Sequence, residues 1–415
     1  MTLILCLLGA AALAQARTAP QVFGARTLVD HGDPSNRYDI VFVGDGYRAQ
    51  DQAEFVADVD QAVRHLRGRA PFDTYWPYIN VHRIDVGSVD RGYSQERGVT
   101  KDTAFGVSYG RPGRYVGGDR SSINQLVARH APDADAIVCL VADGYGGASY
   151  GTICFVGNLD PTTTTHELGH SIGRLSDEYD SGSAANVQVP SALLGVGELV
   201  GRPLALALGW RFDNVTTHTT RSEIPWSYWI RPSTPVPTPD GSPEVGLFEG
   251  ALHLRHGIYR PEHDCVMRRS ETFCVVCRER LVLELSDKVA PYAFRSQRIP
   301  GGWRLGFTSE VPGRVRARWF LGEREVATDA QWVRFTAAET FRVRLEVADA
   351  TPWVRSDRER VLLHLYDWRV NAQGARVQHL GTRTGLGLAL ANPRGNWTRA
   401  TILEPHTGLT AAVGQ

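Results

Sequence analysis

The sequence predicts an α/β (α+β) domain on a mostly parallel, twisted sheet, followed by a small all-β sandwich. Apolar runs of strand length at Tyr38 to Val43 and Asp135 to Val141, with an alternating run at Ile79 to Val86 between them, are interspersed with stretches of helical spacing, the pattern of parallel strands joined by helices. A polar pentapeptide, His166-Glu167-Leu168-Gly169-His170, follows a fourth apolar run and carries helix-start chemistry just upstream. The composition changes at Val289-Ala290-Pro291, and short alternating runs punctuated by Gly, Pro, Asp and Glu follow.

At 415 residues the chain is long for one core. The expected division is a signal peptide over 1–16, a catalytic domain over 17–288, an Ig-like β-sandwich over 289–370 as accessory module, and a weakly patterned tail over 371–415. Leu3 to Ala14 is apolar and ends at Ala14-Gln15-Ala16, an A-x-A cleavage pattern. The run is too short to span a membrane, and no other segment is apolar enough. The expectation is export from a bacterial cell, to the medium, the periplasm or the cell surface. Formal net charge is zero, so nucleic acid is a poor partner. Lysine is confined to Lys101 and Lys288, a composition bias with no functional content.

Tyr38 to Val43 ends at Gly44-Asp45-Gly46-Tyr47, a glycine turn. Ala49 to Leu66 has helical spacing through Phe55, Val59, Ala62, Val63 and Leu66. Ile79 to Val86 completes a strand-helix-strand unit, which favours parallel pairing. Gly87 to Asp119 shows no period and reads as a long surface loop. Ser121-Ser122 caps a helix through His130. Asp135 to Val141 is apolar throughout, as a central strand should be. Ala148 to Val156 is read as a fourth strand at an edge, open to pairing with an extended substrate. Asp180 to about Pro243 is irregular, with Trp226 and Trp229 read as local packing. Phe273 to Leu285 is the closing helix of the larger domain.

The chemistry centres on the pentapeptide. Histidines four apart lie on one helix face, about 6 Å apart along the axis, so both imidazoles can reach one Zn²⁺. Glu167 follows the first of them and can take a proton from a water. Alone, H-E-x-x-H can also be a polar helix face. Here Leu168, Ile172 and Leu175 form an apolar stripe on another face, and Gly173 is the residue expected to turn the chain out of the helix through φ > 0. The third ligand is assigned to Asp177. In a straight helix it would lie about 16 Å along the axis from His166, so the chain must fold back. The usual H-E-x-x-H-x-x-G-x-x-H spacing points at Ser176, a poor ligand, one residue away. Glu178 is the runner-up, and His256 or His263 would be distant alternatives. Tyr179 is a candidate donor to an oxyanion. Met267, in a Cys-Val-Met turn, reads as a floor beneath the ligands. Among Cys139, Cys154, Cys265, Cys274 and Cys277, a disulfide within the last three is the first reading. A Cys₃His zinc site with His263 is the second.

Several spaced motifs make the chain resemble the secreted bacterial zinc metallopeptidases named after the IgA-specific metallopeptidase. They are Asp39 to Tyr47, Tyr145-Gly146-Gly147, His166 to Tyr179, Ile224-Pro225-Trp226, Phe248 to Ala251, Tyr259-Arg260-Pro261, Cys265-Val266-Met267 and Phe273 to Cys277. The resemblance spans roughly residues 38 to 285. It implies a metzincin-like zinc-peptidase fold, one catalytic Zn²⁺ on His166 and His170, Glu167 as catalytic base, and a protein or peptide substrate. The family name does not carry immunoglobulin A over as the substrate. A catalytically inactive binding or adhesion protein on the same fold, or a zinc exopeptidase, is the alternative.

Overall fold

The computed structural model describes residues 18–95, 99–110, 116–158, 160–180, 212–311, 313, 315–336, 340–358, 360–370, 377–384 and 410–414. The signal-peptide segment 1–16 and much of the tail lie outside these residues. In chain order the first strands are β1 (Gln21–Val29), β2 (Tyr38–Asp45), β3 (Ile79–Gly87), β4 (Ser94–Gln95), β5 (Ser108–Tyr109), β6 (Val116–Gly117), β7 (Ala136–Val141), β8 (Gly147–Tyr150) and β9 (Ile153–Gly157). Six of them form one sheet in the order β1-β3-β2-β7-β9-β8. The four inner strands pair in parallel, and β1 and β8 close the edges antiparallel. A mixed α/β domain with a mostly parallel sheet results.

Side chains of the inner strands alternate between two cores, as period-two geometry requires. Ile40, Phe42, Val81, Val138, Leu140 and Val156 face α1 (Gln52–Arg67), α3 (Pro161–Gly173) and α4 (Val275–Lys288). Val41, Val43, Ile84, Val86, Ile137 and Phe155 face α2 (Arg120–His130). Of the expected helical positions, Phe55, Val59, Ala62 and Leu66 are buried on α1 and Val63 is half-buried. Each such aliphatic or aromatic side chain contributes about 1.5–3 kcal/mol by leaving water.

Three local expectations need correction. The fourth strand is a hairpin, β8 and β9, because Gly151 takes φ +69° and reverses the chain in the middle of the run. β1 escaped detection because, as an edge strand, it is largely exposed and carries no apolar alternation. The described residues between Gly87 and Asp119 do not form a surface loop. They hold β4 to β6 and bury Phe105 and Val107 completely. Asp45 accounts for this: its two carboxylate oxygens accept the backbone N–H groups of Phe105 and Val107 at 2.6 and 3.1 Å. The aperiodic segment is therefore held by a buried polar clamp that no hydrophobic pattern announces.

Beyond α4 come β12 (Tyr292–Ile299), β13 (Gly302–Ser309), β14 (Val315–Leu321), β15 (Arg324–Thr328), β16 (Trp332–Thr336), β17 (Phe341–Asp349), β18 (Leu363–Val370), β19 (Val377–Thr384) and β20 (Thr410–Gly414). They form antiparallel sheets of order β12-β13-β16-β20 and β15-β14-β17-β18-β19. Leu305, Phe307, Val333 and Phe335 of the first share a core with Trp319, Val343, Leu345 and Trp368 of the second. The sandwich does not stop at 370: of the two readings open for the weakly patterned stretch beyond it, extra strands or a tail, β19 and β20 fit the first, each adding a strand to a sheet. Nor does it stand clear of the first domain. Tyr75 donates a buried hydrogen bond to Asp349 at 2.7 Å, and Glu279 accepts the backbone N–H groups of Arg355 and Ser356.

His364 gives the sandwich a pH dependence. It is 2% exposed, its Nδ1 has no partner among the described residues, and burial lowers its pKa from 6.5 to about 4. The unfolded chain takes up this proton near 6.5 and the folded one only near 4. The stability is therefore complete above about pH 6.5 and is lost as pH falls toward 4, by about 3 kcal/mol in all. His364→Leu should flatten the change in urea midpoint between pH 7 and pH 4.5. Parallel pH slopes for the two proteins would refute this.

Candidate metal centre

Helix α3 starts where Pro161 sits at its first position and Asp160 caps it, accepting the Thr162 N–H at 2.8 Å. Its apolar face buries Leu168 and Ile172. It ends at Gly173, but Gly173 does not take the left-handed turn. Arg174 does, with φ 51° and ψ 31°. The role of Gly173 is space, since a Cβ there would meet Leu175 Cγ at 2.9 Å and Leu281 Cδ2 at 3.1 Å. The chain then runs back past its own helix.

That reversal brings Asp177 to the histidines. Asp177 Oδ1 lies 3.2 Å from His166 Nε2 and 3.3 Å from His170 Nε2, and the two Nε2 atoms are 3.2 Å apart. Both Nδ1 atoms are engaged elsewhere: His166 with the Val266 carbonyl at 2.9 Å and His170 with the Leu175 carbonyl at 2.7 Å. A ring whose Nδ1–H donates to a carbonyl presents a lone pair at Nε2 once its second proton leaves, as it must when a cation binds. Two such lone pairs and one carboxylate oxygen therefore converge, a donor set that fits a divalent cation of the zinc type. Burial alone would depress the His166 imidazole, but the Asp177 hydrogen bond and the Glu167 and Asp177 charges raise it to about 9. Burial opposes the charged form of Asp177 as well, yet the His170 charge and its histidine hydrogen bonds hold it well below the usual carboxylate range.

Glu178 does not join this set. It turns away into a group of cysteines, with Oε1 3.0 Å from Cys277 Sγ. His256 is exposed and pairs with Glu249, and His263 pairs with Asp264, so neither distant histidine is in the converging set. The expected disulfide is absent too: Cys265, Cys274 and Cys277 are free and buried.

Sequence reasoning missed His253. It lies 3.1 Å from Asp177 Oδ2, whereas the other two rings approach Oδ1. β10 (Phe248–Ala251) and β11 (Leu254–Arg260) are joined by Leu252 and His253 alone, at φ 53° and 64°. Two consecutive non-glycine residues in the left-handed region cost on the order of 1–2 kcal/mol each. The Leu252 and His253 N–H groups recover part of this by donating to the carbonyls of Asp177 and Tyr179, both at 2.9 Å. No Asn-Gly or Asp-Gly signal marks this turn, so nothing local would have found it. Tyr179 packs edge-on against His253 with ring centroids 4.7 Å apart, and lies 6.3 Å from the His166 ring.

Met267 is fully buried beneath α3, where a Cβ on Gly169 would meet its Sδ at 2.6 Å. Its carbonyl accepts the Glu178 N–H at 2.7 Å. Asn214, the residue of an N-x-T sequon, is fully buried, and its amide bonds both the N–H and the carbonyl of Ser176. It is an anchor for the returning chain, without room for a glycan.

Glu167 is 4% exposed, burial raises its pKa, and its Oε2 has no partner among the described residues. It lies against edge strand β8, where a Cβ on Gly147 would come within 2.7 Å of Glu167 Cγ and Oε1. Gly147→Ala should displace the carboxylate and lower turnover by about 100-fold, with bound metal unchanged. Metal analysis beside rate measurement checks this, and a wild-type rate would show that Glu167 needs no such space.

A His-Glu-x-x-His helix and a returning acid, on a mixed α/β domain, define a metallopeptidase arrangement. The profile of the family described as IgA Peptidase M64 matches residues 27–243 and 240–284. The chain belongs to that family of metallopeptidase hydrolases, which act on protein substrates. No curated protein matches it.

Proposed function

We propose that the chain is an exported zinc endopeptidase with its metal on His166, His170 and Asp177, in a metzincin-like site. The observation that carries this is the convergence of three donor atoms within 3.3 Å of one another, with both Nδ1 atoms held on carbonyls. Bound there, zinc supplies a lowered water pKa and polarisation of the scissile carbonyl. Glu167 takes the proton of the attacking water and returns it to the leaving amine. Its buried environment raises its proton affinity and suits both halves of that transfer. Tyr179 donates a hydrogen bond to the developing oxyanion, a role favoured by its packing beside His166 and His253. Strand β8 lies at the sheet edge beside Glu167, and an extended peptide can add to it as a further strand, which favours internal bonds. His253 is a positioning residue acting through Asp177. The β-sandwich is an accessory module. Export rests on the N-terminal apolar run and its A-x-A pattern alone, because the described cysteines form no disulfide.

Digestion of an unfolded protein, with fragments read by mass spectrometry, tests the reading. Internal cuts that a chelator abolishes and zinc restores are expected. Release of terminal residues only would make it an exopeptidase. No cleavage by zinc-loaded protein would make it a binding protein.

A further inference from the structure

Directly behind the third donor lies a second cluster of metal-ligating side chains. Cys265 sits in the turn after β11. Cys274 caps the N-terminus of α4, and Cys277 lies in its first turn. Glu178 enters from the returning chain after α3. All four are buried, with 0–3% exposure, and one donor atom from each lies within 4.8 Å of the others.

We propose that Cys265, Cys274, Cys277 and Glu178 bind a second zinc ion, a structural one. Three sulfurs and one oxygen are a soft, four-coordinate donor set, and two of them come from a Cys-x-x-Cys spacing. Tetrahedral zinc with bonds of about 2.1–2.3 Å needs donor separations of about 3.6–3.8 Å. Glu178 Oε1 lies 3.0 Å from Cys277 Sγ and 3.8 Å from Cys274 Sγ, so small side-chain shifts complete the site.

Backbone N–H groups are aimed at two of the sulfurs, an arrangement that suits sulfur as a metal ligand. The Cys274 N–H donates to Cys265 Sγ at 3.3 Å, and the Cys277 N–H to Cys274 Sγ at 3.4 Å. The positive end of the α4 dipole adds to this. Three thiolates and a carboxylate around Zn²⁺ carry excess negative charge, and the buried Arg260 guanidinium offsets part of it.

Without a cation, the cluster leaves polar groups poorly met. Glu178 is fully buried; among the described residues its Oε2 has no partner, and its Oε1 has only the Asn214 amide and two sulfurs. A carboxyl placed so is costly unless something coordinates it. A disulfide would use two of the three sulfurs and leave a thiol and Glu178 unanswered. The ion instead ties the turn at Cys265, the start of α4 and the returning chain to one point. Since Glu178 follows Asp177, it also holds the acid that faces the histidines.

The test uses the full-length protein. Wild type should carry two zinc ions per chain, and the double variant His166→Ala/His170→Ala should carry one. The zinc absorption edge of wild type should show sulfur neighbours at about 2.3 Å. Cobalt loaded into the double variant should give an intense near-ultraviolet sulfur-to-metal charge-transfer band. Cys277→Ala should remove that band. Should Cys277→Ala fail to fold, wild type still decides through a thiol titration after denaturation in chelator without reductant, where Cys139, Cys154, Cys265, Cys274 and Cys277 should all react, and Cys6 with them in chains that retain residues 1–16. A double variant without metal, absence of sulfur scattering, or a titration short by two thiols would each overturn the proposal. Absence of proteolysis would leave these readouts unchanged and count only against the peptidase reading.

Discussion

Glu167→Gln is expected to keep its metal and to lose turnover by about 10²–10⁴-fold or more. The carboxylate is proposed to hold no metal. It lies outside the converging donors, 4% exposed, with one oxygen that has no partner among the described residues. The amide has nearly the same shape, so the helix, the histidines and Asp177 keep their places. It has no lone pair basic enough to take a proton at neutral pH, and the full cost falls on the chemical step. The measurement is kcat on an unfolded protein beside metal content by mass spectrometry. Substantial turnover by the fully loaded variant would remove Glu167 from the role of base.

Asp177→Ala should weaken metal binding at the histidine site by at least about 100-fold. The substitution removes the one anionic donor and leaves two neutral imidazoles, which cannot offset the charge of a divalent cation in a buried site. It also leaves His253 without its 3.1 Å partner, although the backbone bonds from Leu252 and His253 to this segment persist. The affinity is read by competition with a chromophoric chelator, and activity should return only at high added zinc. Glu178→Ala is the control. It should leave the histidine-site affinity closer to wild type while disturbing the cysteine cluster. Undiminished affinity in Asp177→Ala, with affinity lost in Glu178→Ala, would exchange the roles of the two acids.

Features with a local physical cause were legible in the sequence. A helix repeats near 3.6 residues, so His166 and His170 had to share a face, and Leu168 and Ile172 had to take another. A strand buried on both faces reads as an apolar run, so β2 and β7 stood out; β3 was marked by alternation, and exposed β1 carried neither signal. What the sequence left open was direction. In an extended segment adjacent side chains point to opposite sides. One of Asp177 and Glu178 therefore faces the histidines and the other faces away, but the local chain cannot say which. Distant contacts made the choice. Met267 receives the Glu178 N–H, Asn214 grips Ser176, and the Leu252–His253 turn closes on the carbonyls of Asp177 and Tyr179. The Glu178–Cys277 contact itself spans 99 positions. Side chains so far apart in sequence meet only because the whole domain has folded, and the assignment of the two acids belongs to the tertiary structure.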